Sequence, residues 1–406
     1  MEFDYIIIGA GVIGSSTAYH LKRALPSKNI LLIEKNKRVG AGNTAKSAAL
    51  YRNIFSSHTS RLLAASSIKY YEELGNEISL KPIGYLWLFS EKQWIESQAA
   101  IRQLDPKNDN FDILNKSDVA EILNLNSKKH SLFHDVHMAI YGHSCGALSA
   151  MALAQHYASE FEKIGGKILL EREITFFDLS GQEHLYAPWF DVEINTIVDQ
   201  NNTPYRASKF IVATGAWTHE LMTPIGIFPG VLPKKRQLFG LKVKNASQIT
   251  ERLNLTEIPA IILPAGGVYI KPILDRDLIV VGCADDIGQP FQMSNPEPDI
   301  NYFHRVIEPV LLHYFPKLVN YELTLKWAGY YSYYWPDKNP VIETVSNLTW
   351  VSGTSGSGIM KADAIGRITA AKVQGLDTAK LFDETLFKVS KLSLRSREVE
   401  QEKFVI

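Results

Sequence analysis

The apolar run Tyr5-Ile6-Ile7-Ile8 stops at Gly9, and from about Gly11 to Arg23 apolar and polar residues recur at helical spacing. The pattern predicts a buried strand, a glycine turn and a helix. Ile30-Leu31-Leu32-Ile33 is a second buried-strand run ending at Glu34, so the first 34 residues predict a βαβ unit with a parallel strand pair. The same texture returns between about 145 and 215, with a helix over 147–164 stopped by Gly165-Gly166, a strand over 167–170 and another over 210–213. Residues 81–142 and 221–324 read differently. The segments 238–243, 268–273 and 278–281, the last two joined across Asp275-Arg276-Asp277, predict antiparallel strands of a separate sheet. The expectation is an α/β fold, α+β overall. A discontinuous nucleotide-type domain covers 1–80, 143–220 and 325–380, an inserted antiparallel β-sheet domain covers 81–142 and 221–324, and a tail covers 381–406.

Composition narrows the function classes. With 43 Lys plus Arg against 43 Asp plus Glu among 406 residues, the chain offers no basic face for phosphate backbones, and nucleic acid is not expected as a ligand. Hydrophobic residues at 46% and charged residues at 21% describe a globular protein rather than a disordered one. Two distant cysteines, Cys145 and Cys283, give neither a disulfide framework nor a zinc spacing. The stretch from Tyr5 to Gly14 is too short and glycine-rich to span a membrane, so a cytoplasmic location with no transmembrane segment is expected.

The sharpest motif is Gly9-Ala10-Gly11-Val12-Ile13-Gly14 between strand and helix, with Glu34 and Lys35 closing the next strand. Gly9 permits the tight turn, Gly11 lets a pyrophosphate approach the backbone, Gly14 lets helix and strand pack, and the helix N-terminus faces the anion. A carboxylate at Glu34 can accept from ribose hydroxyls and would repel a 2′-phosphate. The fingerprint leaves FAD and NAD both open. Three further segments bear on the choice: the small-residue loop Gly42-Asn43-Thr44-Ala45-Lys46-Ser47, the post-strand turn Ala213-Thr214-Gly215-Ala216-Trp217, and Gly353-Thr354-Ser355-Gly356-Ser357-Gly358 before Ile359 and Met360.

On these segments, together with Lys235-Arg236-Gln237 and Trp327-Ala328-Gly329-Tyr330-Tyr331, the chain resembles the D-amino-acid oxidase superfamily of FAD-dependent oxidoreductases from residue 3 to about 375. The likeness is to the sarcosine oxidase, glycine oxidase and proline dehydrogenase branch. The 327–331 stretch and the final residues also resemble the mitochondrial FAD-dependent oxidoreductase-domain family that assists respiratory complex I assembly. The resemblance implies a glutathione-reductase-like Rossmann domain and FAD as cofactor, with the 42–47 loop, Gly329 and residues 356–360 lining the flavin region. It implies a helix opening at 356–359 whose N-terminus faces the flavin pyrimidine, where reduced flavin gathers negative charge. Relatives that tether FAD use a cysteine near the position of Tyr330 or a histidine near that of Lys46. Neither residue type stands here, so non-covalent FAD is expected.

The implied reaction is oxidation of a small amine or amino acid by hydride transfer to flavin N5. A 2-hydroxy-acid or glycerol-3-phosphate dehydrogenase, or an assembly factor with little turnover, are the alternatives. The electron acceptor stays open among oxygen, quinone and a partner protein. By resemblance Arg52 faces substrate, where its planar fork suits a carboxylate; a structural ion pair is the other reading. Tyr331 belongs to an aromatic strand, Tyr330 to Trp335, that either roofs the pocket or is plain sheet core. Tyr269 and Lys271 lie on the strand that in similar oxidases carries an oxygen-activating lysine, with Lys271 either that group or a surface charge. His134, His137 and His143 have no acidic or cysteine partner at helical spacing, so no metal is expected. Two positions depart from the family pattern: Ser357 replaces a common histidine and Glu343 a common glycine.

Overall fold

The computed structural model describes residues 2–107, 109–126, 130–179, 193–244, 249, 258–286, 288–291 and 296–404. Its first sheet has at its centre the parallel strands Leu348–Ser352, Pro204–Val212, Glu2–Ile8, Ile30–Ile33 and Lys167–Leu169, in that spatial order. Val341–Val345 pairs antiparallel at one edge, forming a hairpin with Leu348–Ser352. Ile6, Ile7, Leu32, Phe210 and Ile211 are fully buried, as strands covered on both faces require.

The helices Val12–Ala24 and Ala362–Val373 pack together over this sheet. Gly366 makes their approach possible, because a Cβ there would lie 2.2 Å from the Ser16 hydroxyl. His20 Nε2 meets Asp363 Oδ1 at 2.8 Å across the same seam.

The second sheet runs in the order Glu322–Tyr333, Leu232–Lys242, Leu278–Cys283, Val268–Ile273, Ala260–Ile262, Tyr85–Phe89, Met138–Gly142 and Phe111–Asn115. All its neighbours are antiparallel except Ala260–Ile262 with Tyr85–Phe89. The strands read at 238–243, 268–273 and 278–281 all fall here, the first beginning earlier, at Leu232. Residues 325–333, grouped from sequence with the nucleotide-type unit, hydrogen-bond instead along Leu232–Gly240 in this sheet. Periodicity could not reveal that partner, since both candidate sheets accept an aromatic strand. None of the described helices is long and apolar enough to cross a membrane.

Candidate active site

A cavity of about 500 Å³ is lined by residues from both sheets and extends from Glu34 and Lys35 to Arg52, Tyr269 and Phe404. Its size falls among cofactor and small-molecule sites. At the Glu34 end, Gly9 adopts φ +98°, and its N–H donates to the Ile33 carbonyl at 2.7 Å. A Cβ on Gly14 would sit 1.8 Å from the Gly9 carbonyl oxygen, so the helix reaches the turn only because this residue is glycine. The Ala10 N–H donates to Glu34 Oε2 at 2.8 Å, while Glu34 Oε1 accepts from the Asn36 N–H at 3.0 Å. The buried carboxylate thus braces the turn and also lines the cavity. Val12 N–H donates to Thr44 Oγ1 at 3.1 Å, tying the helix start to the small-residue loop.

The lining leaves backbone bare where a dinucleotide needs it. A Cβ on Gly11 would meet only Thr44 Oγ1, at 3.3 Å, and one on Gly42 only a Trp217 ring carbon, at 3.9 Å. The first turn of the helix carries no acidic residue, so its positive end is uncompensated by side-chain charge. Lys35 Nζ lies over the Trp217 ring, 4.7 Å from its centre, and 3.1 Å from Glu173 Oε1.

In the middle of the cavity, Asn43 Oδ1 accepts from the Tyr330 N–H at 3.0 Å, and Trp327 Nε1 donates to the Lys46 carbonyl at 2.9 Å. These bonds join the 42–47 loop to the edge strand of the second sheet. Gly329 allows the contact, since its Cβ would fall 3.1 Å from both Asn43 Oδ1 and Lys46 Cβ. Opposite lies the 353–358 loop, left-handed at Gly353, Ser355 and Gly356. That backbone delays the helix expected to open at 356–359. A short 3₁₀ turn, Ile359–Lys361, intervenes, and the α-helix begins at Ala362.

At the far end Arg52 is 5% exposed and its guanidinium stacks over Phe55, 3.9 Å from the ring centre. Nη1 donates to the Ile54 carbonyl and Nη2 to the Phe404 carbonyl. Burial pushes the Arg52 pKa down and the phenol pKa values of Tyr85, Tyr269 and Tyr331 up, so these three tyrosines are neutral. Arg236 joins the wall over the Tyr331 ring, at 5.2 Å, and donates through Nη2 to Asp286 Oδ1 at 2.8 Å. Lys361 lies fully buried behind this end, its Nζ bonded to Ser60 Oγ at 2.9 Å and Ser357 Oγ at 2.8 Å. Burial without a carboxylate partner in bonding range pulls its amine down to about 7.

The model of the FAD dependent oxidoreductase family matches residues 4–372. The chain belongs to that family. Among curated proteins it is similar to FAD-dependent oxidoreductase domain-containing protein 1 of Xenopus laevis, 26% identical over 408 residues, covering 90% of this chain and 78% of that protein. In fold the oxidoreductase is similar to L-proline dehydrogenase from P. horikoshii, with TM-score 0.76, 21% identity, and 92% and 94% of the two chains covered. It is likewise similar to glycine oxidase from Geobacillus kaustophilus, with TM-score 0.75, 18% identity, and 97% and 98% covered.

Most positions singled out in the oxidoreductase from sequence line the one cavity: Gly9, Gly11, Val12, Ile13, Glu34, Lys35, Gly42, Asn43, Thr44, Lys46, Ser47, Ala213, Thr214, Gly215, Trp217, Gly329, Gly356, Ser357, Gly358, Ile359 and Met360, with Arg52, Tyr269 and Tyr331. Three do not. Gly14 is packed against the turn, and Ala45 is exposed on the outside of its loop. Lys271 is neither a lining group nor a surface charge: its Nζ donates to the Ala48 carbonyl at 2.6 Å from behind the wall, and burial lowers it to about 8. Sequence reasoning missed Phe55, Tyr85, Glu402 and Phe404 as lining residues, and gave Arg236 no role. For the last two, the alternation Glu402, Lys403, Phe404 in an otherwise charged tail was the available signal.

Proposed function

We propose that this oxidoreductase oxidises a small amine or amino acid at the carbon bearing nitrogen, using FAD held without a covalent bond. One observation carries the reading: a single cavity joins a bare-backbone dinucleotide cradle to an end walled by a buried guanidinium and neutral phenols. When bound, FAD supplies the two-electron acceptor for a hydride from substrate carbon. The chain's own groups do the rest. Residues 9–14 and the helix behind them hold the pyrophosphate, Glu34 the adenosine ribose, and the 42–47 and 353–360 loops the flavin. No cysteine or histidine occurs among the described lining residues, which supports dissociable binding.

Arg52 orients a substrate carboxylate through the hydrogens left on its two terminal nitrogens, since Ile54 and Phe404 take one from each. The buried tyrosines hold their protons and are unsuited as bases, so the amine enters neutral and catalysis rests on positioning and on exclusion of water. The oxidised product, an imine, is released to hydrolyse in water. A phosphate-bearing hydroxy acid is disfavoured because Arg236, the guanidinium over the Tyr331 ring, is already paired with Asp286. The test is to precipitate the yellow protein with acid and to titrate intact protein anaerobically with amines, amino acids and hydroxy acids. FAD in the supernatant and bleaching by amines or amino acids are expected. Flavin in the pellet contradicts the dissociable cofactor, and bleaching by hydroxy acids alone contradicts the substrate class.

A further inference from the structure

Residues 394–404 are fastened along their length to the rest of the protein and reach the cavity wall at Glu402 and Phe404. Glu343, the departure from the family pattern, accepts from the Leu394 and Arg395 N–H groups at 2.8 and 3.2 Å. Arg397 pairs with Asp337, Nη2 to Oδ1 at 2.6 Å, and Asn339 Nδ2 donates to the Glu400 carbonyl at 2.9 Å. Glu402 then accepts from the Ser56 and Ser57 N–H groups, each at 3.0 Å, one on each carboxylate oxygen. Gln401 and Lys403 are exposed while Glu402 and Phe404 are 3% exposed, the alternation of an extended strand with one face inward.

The inward face meets the substrate end. Glu402 and Phe404 both line the cavity, and behind the wall the Phe404 ring is backed by Trp87 at 5.2 Å and Phe89 at 6.3 Å, centre to centre. The Phe404 carbonyl accepts from Arg52 Nη2. These tethers are more than a loose tail needs, and they fix this ring and this carbonyl beside one guanidinium.

We infer that Phe404 is the size-determining residue of the substrate end: its ring limits how far a substrate extends beyond the Arg52 fork, and its main-chain carbonyl holds that fork in orientation. The inference rests on the reading of Arg52 as a carboxylate anchor. The substrates it admits are short carboxylates bearing an amine, with little bulk on the side facing Phe404.

Calorimetric titration of FAD-loaded protein with acetate, benzoate and 1-naphthoate tests this apart from turnover. Phe404→Ala is expected to improve 1-naphthoate relative to benzoate at least tenfold, Phe404→Leu to do so by less, and Phe404→Trp to shift the ratio the other way. Ratios unchanged in these variants, with or without a lower melting temperature, overturn the inference and reduce Phe404 to a packing residue. If Phe404→Ala does not fold, the Leu and Trp variants carry the comparison. Acetate binding that is indifferent to Arg52→Met instead overturns the anchor, and the inference with it.

Discussion

Gly11 and Gly14, three positions apart in one turn, separate cofactor binding from folding. Gly14→Ala would place a methyl 1.8 Å from the Gly9 carbonyl oxygen and 3.2 Å from Ala213 Cβ. Nothing there is a flexible side-chain end, so helix and turn must part, at an expected cost at the upper end of the about 1–3 kcal/mol typical of overpacking, or beyond it. Gly11 has φ −68° and ψ 177°, a conformation open to any residue. Its Cβ would touch only Thr44 Oγ1, at 3.3 Å, and otherwise enter the cavity. Gly11→Ala should therefore leave the apoprotein as stable as before, or stabilise it by about 0.4–1 kcal/mol through the unfolded chain. A methyl in the pyrophosphate's space should weaken FAD by about 1–3 kcal/mol, about 5- to 150-fold in Kd. Gly11→Val should abolish flavin content. Urea unfolding of the apoproteins and fluorescence titration with FAD measure both quantities. Wild-type FAD affinity in Gly11→Val, or a Gly14→Ala protein of wild-type stability, would refute the assignment of these roles.

Arg52→Lys keeps the charge and loses the fork, so the half-saturating amine concentration for flavin reduction should rise at constant FAD content. Arg52→Ala should lower reductive efficiency at least tenfold, since removing one partner of a buried charged contact costs about 2–5 kcal/mol; a destabilised variant with normal reduction kinetics would return Arg52 to the scaffold. For Lys361, burial lowers the amine from 10.5 to about 7 in the native state. Between those values the unfolded chain binds a proton the native chain does not, so this group makes stability rise with pH, by up to about 1.4 kcal/mol per unit. Below the lower value both states are protonated and the burial penalty stands in full. Urea unfolding at pH 7 and pH 9 should show a steeper rise in the wild type than in Lys361→Met, which keeps only the share of Lys271, lowered to about 8; equal slopes would contradict the buried neutral amine.

The cofactor end was legible because its chemistry is local. Gly9, Gly11 and Glu34 lie within one βαβ unit, the 42–47 and 213–217 loops each follow a readable strand, and 353–358 reads as a glycine-rich segment ahead of a helix. The substrate end was not, because its residues meet only through long-range packing. Tyr85 enters from a strand paired to 138–142 and 260–262, and Phe404 reaches Arg52 across 352 residues of chain. Tyr269 and Lys271 share a strand, yet only Tyr269 lines the cavity, while the Lys271 amine donates to the Ala48 carbonyl. The aromatic strand expected over Tyr330 to Trp335 ends at Tyr333: the adjacent Tyr330 and Tyr331 both line the cavity, while beyond the strand Tyr334 stacks with Arg397 and Trp335 is exposed. Glu343 is a departure whose purpose appears only when the C-terminal segment is seen to dock on it.

The most direct measurement is single-turnover reduction of the FAD-loaded protein, without oxygen, by the best amine of the panel carrying either hydrogen or deuterium on the carbon next to nitrogen. Cleavage of that bond during flavin reduction predicts a rate several-fold slower with deuterium. Equal rates, or no reduction by any amine or amino acid in protein that has retained FAD, would contradict the proposed reaction.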